Sequence, residues 1–234
     1  TPLIESPRLN DKLGIRLLVK AECLQHTGSF KLRGASNAVW SLDDSVKHVV
    51  AFSSGNHAQG VARAAASRGL QATIVMPKDS PDGKIEGTKA YGGMVILYDR
   101  YTDTREEIGA DLATRKQAHL IKPFDDFQVI AGQGTVGLEI AAQAAAKNLT
   151  PDAIICCCGG GGLIAGMSIA ASDMIPGVDI WAAEPEFYDD TRRSLASGKI
   201  ETADITMPSI CDSIVTAQPG EITCLLYTSD AADE

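Results

Sequence analysis

Short apolar runs alternate along the whole chain with stretches whose apolar residues recur at helical spacing. Strand patterns fall at Arg16–Glu22, His48–Phe52, Ala72–Met76, Met94–Leu97, His119–Ile121, Ala153–Cys158 and Val178–Glu184. Between them, helical patterns fall at Lys31–Leu42, Asn56–Arg68, Pro81–Tyr91, Thr102–Gln117, Gly134–Ala146 and Leu163–Ser172. Regular alternation of this kind predicts an α/β protein with parallel sheets. Strands that are apolar on every position suit a sheet covered on both faces. No internal repeat or low-complexity linker interrupts the series. The last eleven residues, CLLYTSDAADE, carry no strand or helix logic that joins them to the rest. They resemble the translated read-through of a sequencing adapter and are expected to be a non-native tail, 224–234.

Composition adds little and excludes more. Of 234 residues, 44% are hydrophobic and 22% charged, enough for a real core. A formal charge of −9 argues against a basic nucleic-acid surface or a polybasic membrane anchor. No apolar run approaches the roughly 18–20 residues of a membrane span. The six cysteines lack zinc-site spacing and are too few for a disulfide scaffold, so buried free thiols in a reducing, cytoplasmic setting are expected.

Chemistry concentrates at three strand-to-helix junctions. Gly159, Gly160, Gly161 and Gly162 join an apolar strand to an apolar helix. Backbone without Cβ atoms, next to the free N–H groups of a helix start, builds an anion site, most often for phosphate. No Gly-Lys-Ser/Thr follows, which excludes a P-loop. Gly160-x-Gly162-x-x-Ala165 also fits a permissive dinucleotide fingerprint, with Glu184 about 20 residues on, so this motif alone leaves an NAD-dependent oxidoreductase open. At the second junction, Thr27-Gly28-Ser29-Phe30-Lys31 puts a lysine at a helix start, where the helix dipole disfavours it. With Arg33 two residues on, crowded positive charge is expected to depress the Lys31 pKa, as an amine nucleophile requires. The third junction, Ser53-Ser54-Gly55-Asn56-His57, sets four polar side chains around one glycine where open α/β sheets bind ligands.

Together, TGSFKLRGA, SSGNHAQG and CGGGGLIAG closely resemble the fold type II pyridoxal-phosphate enzymes, within them the serine/threonine dehydratase and serine racemase group. The resemblance implies two open, twisted parallel-sheet domains with the cofactor in the cleft between them. It puts a small domain at 48–122 inside a large one made of 1–47 and 123–223. By the same resemblance Lys31 holds the cofactor covalently and acts as base at the substrate Cα. Phe30 packs beside the ring, Asn56 bonds its phenolic oxygen, and Gly159–Gly162 with Leu163 bind its phosphate. Ser53, Ser54, Gly55 and His57 lie along the substrate carboxylate, and Ser54 matches the second base of the racemases. Glu184, the Tyr188 carbonyl and Asp190 match a divalent-cation site, and two carboxylates with a carbonyl suit Mg²⁺ or Ca²⁺. Asp189 or Asp190 capping the following helix is the plainer alternative.

The implied function is a pyridoxal-phosphate-dependent ammonia-lyase. It would convert L-threonine, L-serine or 3-hydroxyaspartate to a 2-keto acid and ammonia through an aminoacrylate. A serine or aspartate racemase of the same family and an inactive fragment stand as alternatives. The resemblance further implies a longer, homodimeric parent enzyme, C-terminally truncated here, whose remainder supplies the partner of the pyridine nitrogen. Lys78, Lys84 and Lys89 read as a solvated face, and Trp40 and Trp181 as packing residues.

Overall fold

The computed structural model describes residues 1–230. In chain order its elements are β1 (Leu3–Glu5), α1 (Pro7–Leu13), β2 (Leu18–Lys20), α2 (Lys31–Trp40), β3 (His48–Phe52), α3 (Asn56–Ser67), β4 (Gln71–Pro77), α4 (Asp82–Ala90), β5 (Gly93–Tyr98), α5 (Arg105–Arg115), β6 (His119–Leu120), α6 (Phe127–Ala145), β7 (Ala153–Cys157), α7 (Gly162–Met174), β8 (Asp179–Ala183), α8 (Asp190–Ser197) and α9 (Glu221–Asp230). Short 3₁₀ turns occupy Glu22–Leu24 and Asp212–Ile214.

Four strands form one sheet in the order β5-β4-β3-β6, and two form another, β7-β8; all of these pairings are parallel. The all-apolar reading holds for the centre of the four-stranded sheet, whereas β7 and β8 leave Ile155 and Trp181 exposed on one face. Val49, Val50 and Ala51 of β3 and Ile74, Val75 and Met76 of β4 are wholly buried, as strands covered by helices on both faces must be. One core joins β3 and β4 to the alanine-rich face of α3 and to Ala35 and Val39 of α2. A second core packs Val136 and Ile140 of α6 on Ile154 of β7 and on Ile164 and Met167 of α7.

Helices α6 and α7 meet through small residues. A Cβ on Gly166 would lie 2.0 Å from the Ile130 carbonyl oxygen and 2.8 Å from the Gly134 nitrogen. Backbone stands against backbone here, so neither side can yield. Gly166→Ala is therefore expected to cost about 3 kcal/mol or more in urea unfolding, at the top of the usual overpacking range. An unchanged midpoint would mean that the two helices are free to part.

The periodic segments appear where the sequence predicts them, with most ends displaced by up to a turn and the start of α6 by two. Three differences have physical causes, and the tryptophans and cysteines add two in exposure. The Arg16–Glu22 pattern yields only Leu18–Lys20 as strand, because it pairs antiparallel with the three-residue β1 and ends when that partner does. Helix α6 starts at Phe127, seven residues before the apolar pattern becomes regular, because Asp126 caps it by accepting from the Val129 amide at 2.9 Å. Helix α9 runs through Cys224, which the sequence pattern places outside the fold; Asp125 accepts from the Ile222 amide, and Thr223 and Cys224 are buried. Residues 231–234 of that expected tail lie outside the described residues. Finally, Trp40 and Trp181 are exposed rather than packed, at 58% and 61%. The cysteines form no disulfide among the described residues, but Cys23, Cys157 and Cys211 are exposed rather than buried.

Candidate active site

The segment Ile121–Asp126, between β6 and α6, ties the three junctions together. At the second junction, Ser29 Oγ accepts from the Lys31 amide at 3.1 Å as α2 begins. The Lys31 side chain is half-buried and its Nζ donates to the Pro123 carbonyl at 2.7 Å. Burial pushes the amine down to about 8, and the neighbouring Cys157 opposes this. Arg33 is not the cause. Its guanidinium donates to Glu22, Thr135 and Glu139 and is held strongly protonated by those carboxylates. Its charge is compensated inside the α2–α6 contact. Phe30 lies beside the amine, with Lys31 Nζ 5.3 Å from its ring centre.

Next along the segment, Phe124 buttresses the glycine loop at the start of α7. A Cβ on Gly160 would fall 2.5 Å from three atoms of the Phe124 ring, and one on Gly162 would fall 2.9 Å from the Phe124 carbonyl oxygen. A Cβ on Gly159 would meet the Ile214 carbonyl oxygen at 3.0 Å. Gly161 has φ +90°, in the left-handed region that a glycine adopts without strain. The Gly160 carbonyl is fixed from the far side by the Gly220 amide at 3.2 Å and the Thr223 hydroxyl at 2.9 Å. Among the described residues, the amides of Gly159, Gly160, Gly162 and Leu163 have no acceptor. A rigid turn with unspent N–H groups at the positive end of a 13-residue helix forms a cradle that suits an anion such as a phosphate. Pro123 and Phe124 are neighbours in the chain, so the buried amine and the cradle share one site. A cavity of about 180 Å³ beside it is bordered by Phe30, Leu163, Cys156 and Cys157.

The third junction approaches from α3. A Cβ on Gly60 would touch the Lys31 carbonyl at 3.1 Å, so the first turns of α3 and α2 are packed together. His57 is buried there, and its Nε2–H donates to the Ile121 carbonyl at 3.1 Å. Burial, with the Lys31 charge adding to it, pushes the imidazole down to about 3, so it is neutral. In that tautomer Nδ1 is an acceptor, and it has no partner. The His57 ring thus offers a carboxylate no donor. Ser53 is half-buried, with its hydroxyl accepting from the Gly55 amide at 3.2 Å, and Ser54 is exposed. Asn56 is half-buried in the first turn of α3.

The Glu184–Tyr188–Asp190 group lies just beyond, since Cys158 before the glycine loop contacts the Thr191 hydroxyl at 3.4 Å. Glu184 caps α8, accepting from the amides of Thr191 at 2.9 Å and Arg192 at 3.0 Å. That occupation also removes it from the ribose role of a dinucleotide site. Asp190 is buried, Oδ2 has no partner, and burial pushes its carboxyl up to about 6, with the Glu184 charge adding to the rise. The Tyr188 hydroxyl donates to the Met207 carbonyl. Among the described residues no three His, Cys, Asp or Glu side chains converge on a metal position. Two carboxylates and a carbonyl remain a set of suitable chemistry, and the orphaned Asp190 oxygen fits it.

Sequence reasoning missed the Pro123 carbonyl, Phe124 and Thr223. No motif marks a backbone oxygen, and nothing local distinguishes a buttressing phenylalanine from a core one.

Comparison with known proteins converges on one family. The profile of the family described as "Pyridoxal-phosphate dependent enzyme" matches residues 1–233. The chain is 42% identical to L-threo-3-hydroxyaspartate ammonia-lyase of Saccharomyces cerevisiae, over all of this chain and 71% of that one. It is 42% identical to serine racemase of Oryza sativa subsp. indica, over 89% of this chain and 60% of that one. The crystal structure of the threonine deaminase of T.th. superposes with a TM-score of 0.91 at 44% identity, covering 97% of this chain and 73% of that one. The chain thus spans 60 to 73% of the length of these three proteins.

Proposed function

The chain belongs to the pyridoxal-phosphate-dependent enzymes of fold type II, and from that premise we propose that it is an ammonia-lyase for a small β-hydroxy amino acid. The observation that carries this reading is a lysine amine held by the Pro123 carbonyl and pushed down to about 8 by desolvation, sharing one site with a rigid loop of unspent amides. These residues fit pyridoxal phosphate: the amine for its aldehyde, and Gly159, Gly160, Gly162 and Leu163 for its phosphate. When bound, the cofactor supplies an electron sink for the pair left at the substrate Cα.

The chain's own residues do the rest. A Lys31 amine near 8 is partly neutral at physiological pH and can take the Cα proton. The Pro123 carbonyl orients it, and burial keeps water from competing for that proton. Neutral His57 adds no positive charge beside the amine, so desolvation is what lowers Lys31. Ser53, Ser54 and Gly55 form the edge along which the substrate carboxylate lies, with neutral His57 behind it and Asn56 toward the phenolic oxygen of the cofactor. The four-stranded unit is read as the small domain and the β7–β8 unit, with α6 and α7, as part of the large one. Racemisation is the second reading, favoured by one observation: the Ser54 hydroxyl is exposed on that edge, free to serve as a second base. Glu184, Asp190 and the Tyr188 carbonyl would hold Mg²⁺ or Ca²⁺, relieving the repulsion between the two carboxylates.

No helix among the described residues is long and apolar enough to cross a membrane. The reading carries with it a cytoplasmic location and a homodimer, the second testable by sedimentation.

The deciding assay follows keto acid and ammonia released from L-serine, L-threonine and both 3-hydroxyaspartate diastereomers, with chiral analysis of residual substrate. Release from at least one is expected; a colourless protein that binds NAD instead would overturn the reading. A chelator is expected to lower the rate, and Glu184→Gln to lower it and to blunt the chelator effect. Chelator sensitivity unchanged in Glu184→Gln would remove the metal from this position.

A further inference from the structure

Lys84 of α4 belongs by sequence pattern to a solvated face, yet it lies across the third junction. A Cβ on Gly55 would fall 2.3 Å from Lys84 Cδ and 2.9 Å from Nζ. The Lys84 side chain occupies the space beside Gly55 that a Cβ would need. Three other cations of this unit stand beside carboxylates: Lys78 at Asp99, Arg100 at Asp79 and Lys89 at Glu86, while Arg105 lies over the Phe52 ring. Lys84, half-buried, has no hydrogen-bond or ion-pair partner for its ammonium among the described residues. The adjoining turn holds a second unspent group, the buried Ser80 hydroxyl at the end of β4, the strand paired in register with β3. A long side chain that gives up water and rotamer freedom to hold an uncompensated charge over a loop implies an anion that comes to that loop.

We propose that the Lys84 ammonium supplies the counter-charge for the substrate α-carboxylate at Ser53–Gly55. The proposal rests on the reading of that edge as the carboxylate site. It assigns to Lys84 a charge that His57 does not provide, since the imidazole is neutral and presents an acceptor. Every amino acid substrate would use it alike, so Lys84 sets affinity and not the choice among side chains.

The test uses the cofactor-loaded protein and ligands that lack a β-leaving group, L-alanine and L-alaninamide, with binding read from the cofactor absorbance. Lys84→Met is expected to weaken L-alanine at least about tenfold, as loss of one partly screened charge pair would. L-Alaninamide, which has no carboxylate, stays within about twofold, and Lys84→Arg retains most of the alanine affinity. Equal weakening of both ligands would mean that Lys84 only shapes the loop, and no change in either would mean that it faces solvent; each overturns the proposal. Release of keto acid by the wild-type protein without the alanine–alaninamide contrast overturns Lys84 alone. The contrast without keto-acid release from any hydroxy amino acid overturns the lyase reading and leaves Lys84 in place.

Discussion

Lys31→Ala abolishes the covalent attachment of cofactor that borohydride would otherwise make permanent, and lowers keto-acid release by about 10³-fold, the range for a lost proton-transfer group. Intact mass after borohydride reads the first effect and steady-state kinetics the second. Retained attachment would show that another amine holds the cofactor. A companion effect tests the burial argument without any cofactor. The buried amine titrates near 8, below the ordinary lysine value of 10.5, because desolvation disfavours its charged form. Between those two values the unfolded chain binds more protons than the folded one, so stability rises with pH across that window. The destabilisation is fully present below pH 8 and fades as pH approaches 10.5. Its size is bounded at about 3 kcal/mol by the displacement. Lys31→Met removes this slope. Urea midpoints for the two proteins are therefore expected to differ most at about pH 7 and to converge by about pH 10.5. Parallel curves would mean that the amine reaches water.

Gly160→Ala is the second large effect, and it separates the phosphate from the ring. The added methyl falls 2.5 Å from the Phe124 ring, closer than side chains tolerate. The loop cannot retreat, because the Gly220 amide and the Thr223 hydroxyl hold the Gly160 carbonyl from the other side. An overpacking penalty of up to about 3 kcal/mol, taken from the bound geometry, weakens pyridoxal phosphate by up to about 10²-fold. Pyridoxal, which lacks the phosphate, depends on Lys31 and the ring contacts and loses little. Phe124→Leu in the Gly160→Ala background removes the colliding ring and recovers part of the loss. Equal weakening of both cofactor forms would show that the glycine loop serves the fold and not the phosphate.

The two parts of the site were unequally legible. Lys31, the glycine loop and the Ser-Ser-Gly-Asn edge stood out in the sequence because each breaks the rule of its element. A cation at a helix start, four residues without Cβ, and several polar groups where one cap would do are local anomalies. The glycines of α6 and α7 were also visible in the sequence, but not what they touch. Arg33 shows the limit. Its proximity in sequence suggests that it depresses the lysine, whereas in space Glu22 and Glu139 neutralise it, and burial lowers the amine instead.

The sequence by itself determined the alternation of strands and helices, the parallel sheets and the three junctions, because hydrophobic period and turn chemistry act over a few residues. Only the tertiary structure decided what the junctions share. Pro123 bonds Lys31 across 92 positions, Phe124 props the loop beginning at Gly159, and Lys84 crosses from α4 to fill the space that Gly55 leaves empty. Contacts of that kind depend on which surfaces meet once the cores have formed, and packing between distant segments leaves no periodic trace in the chain that makes it.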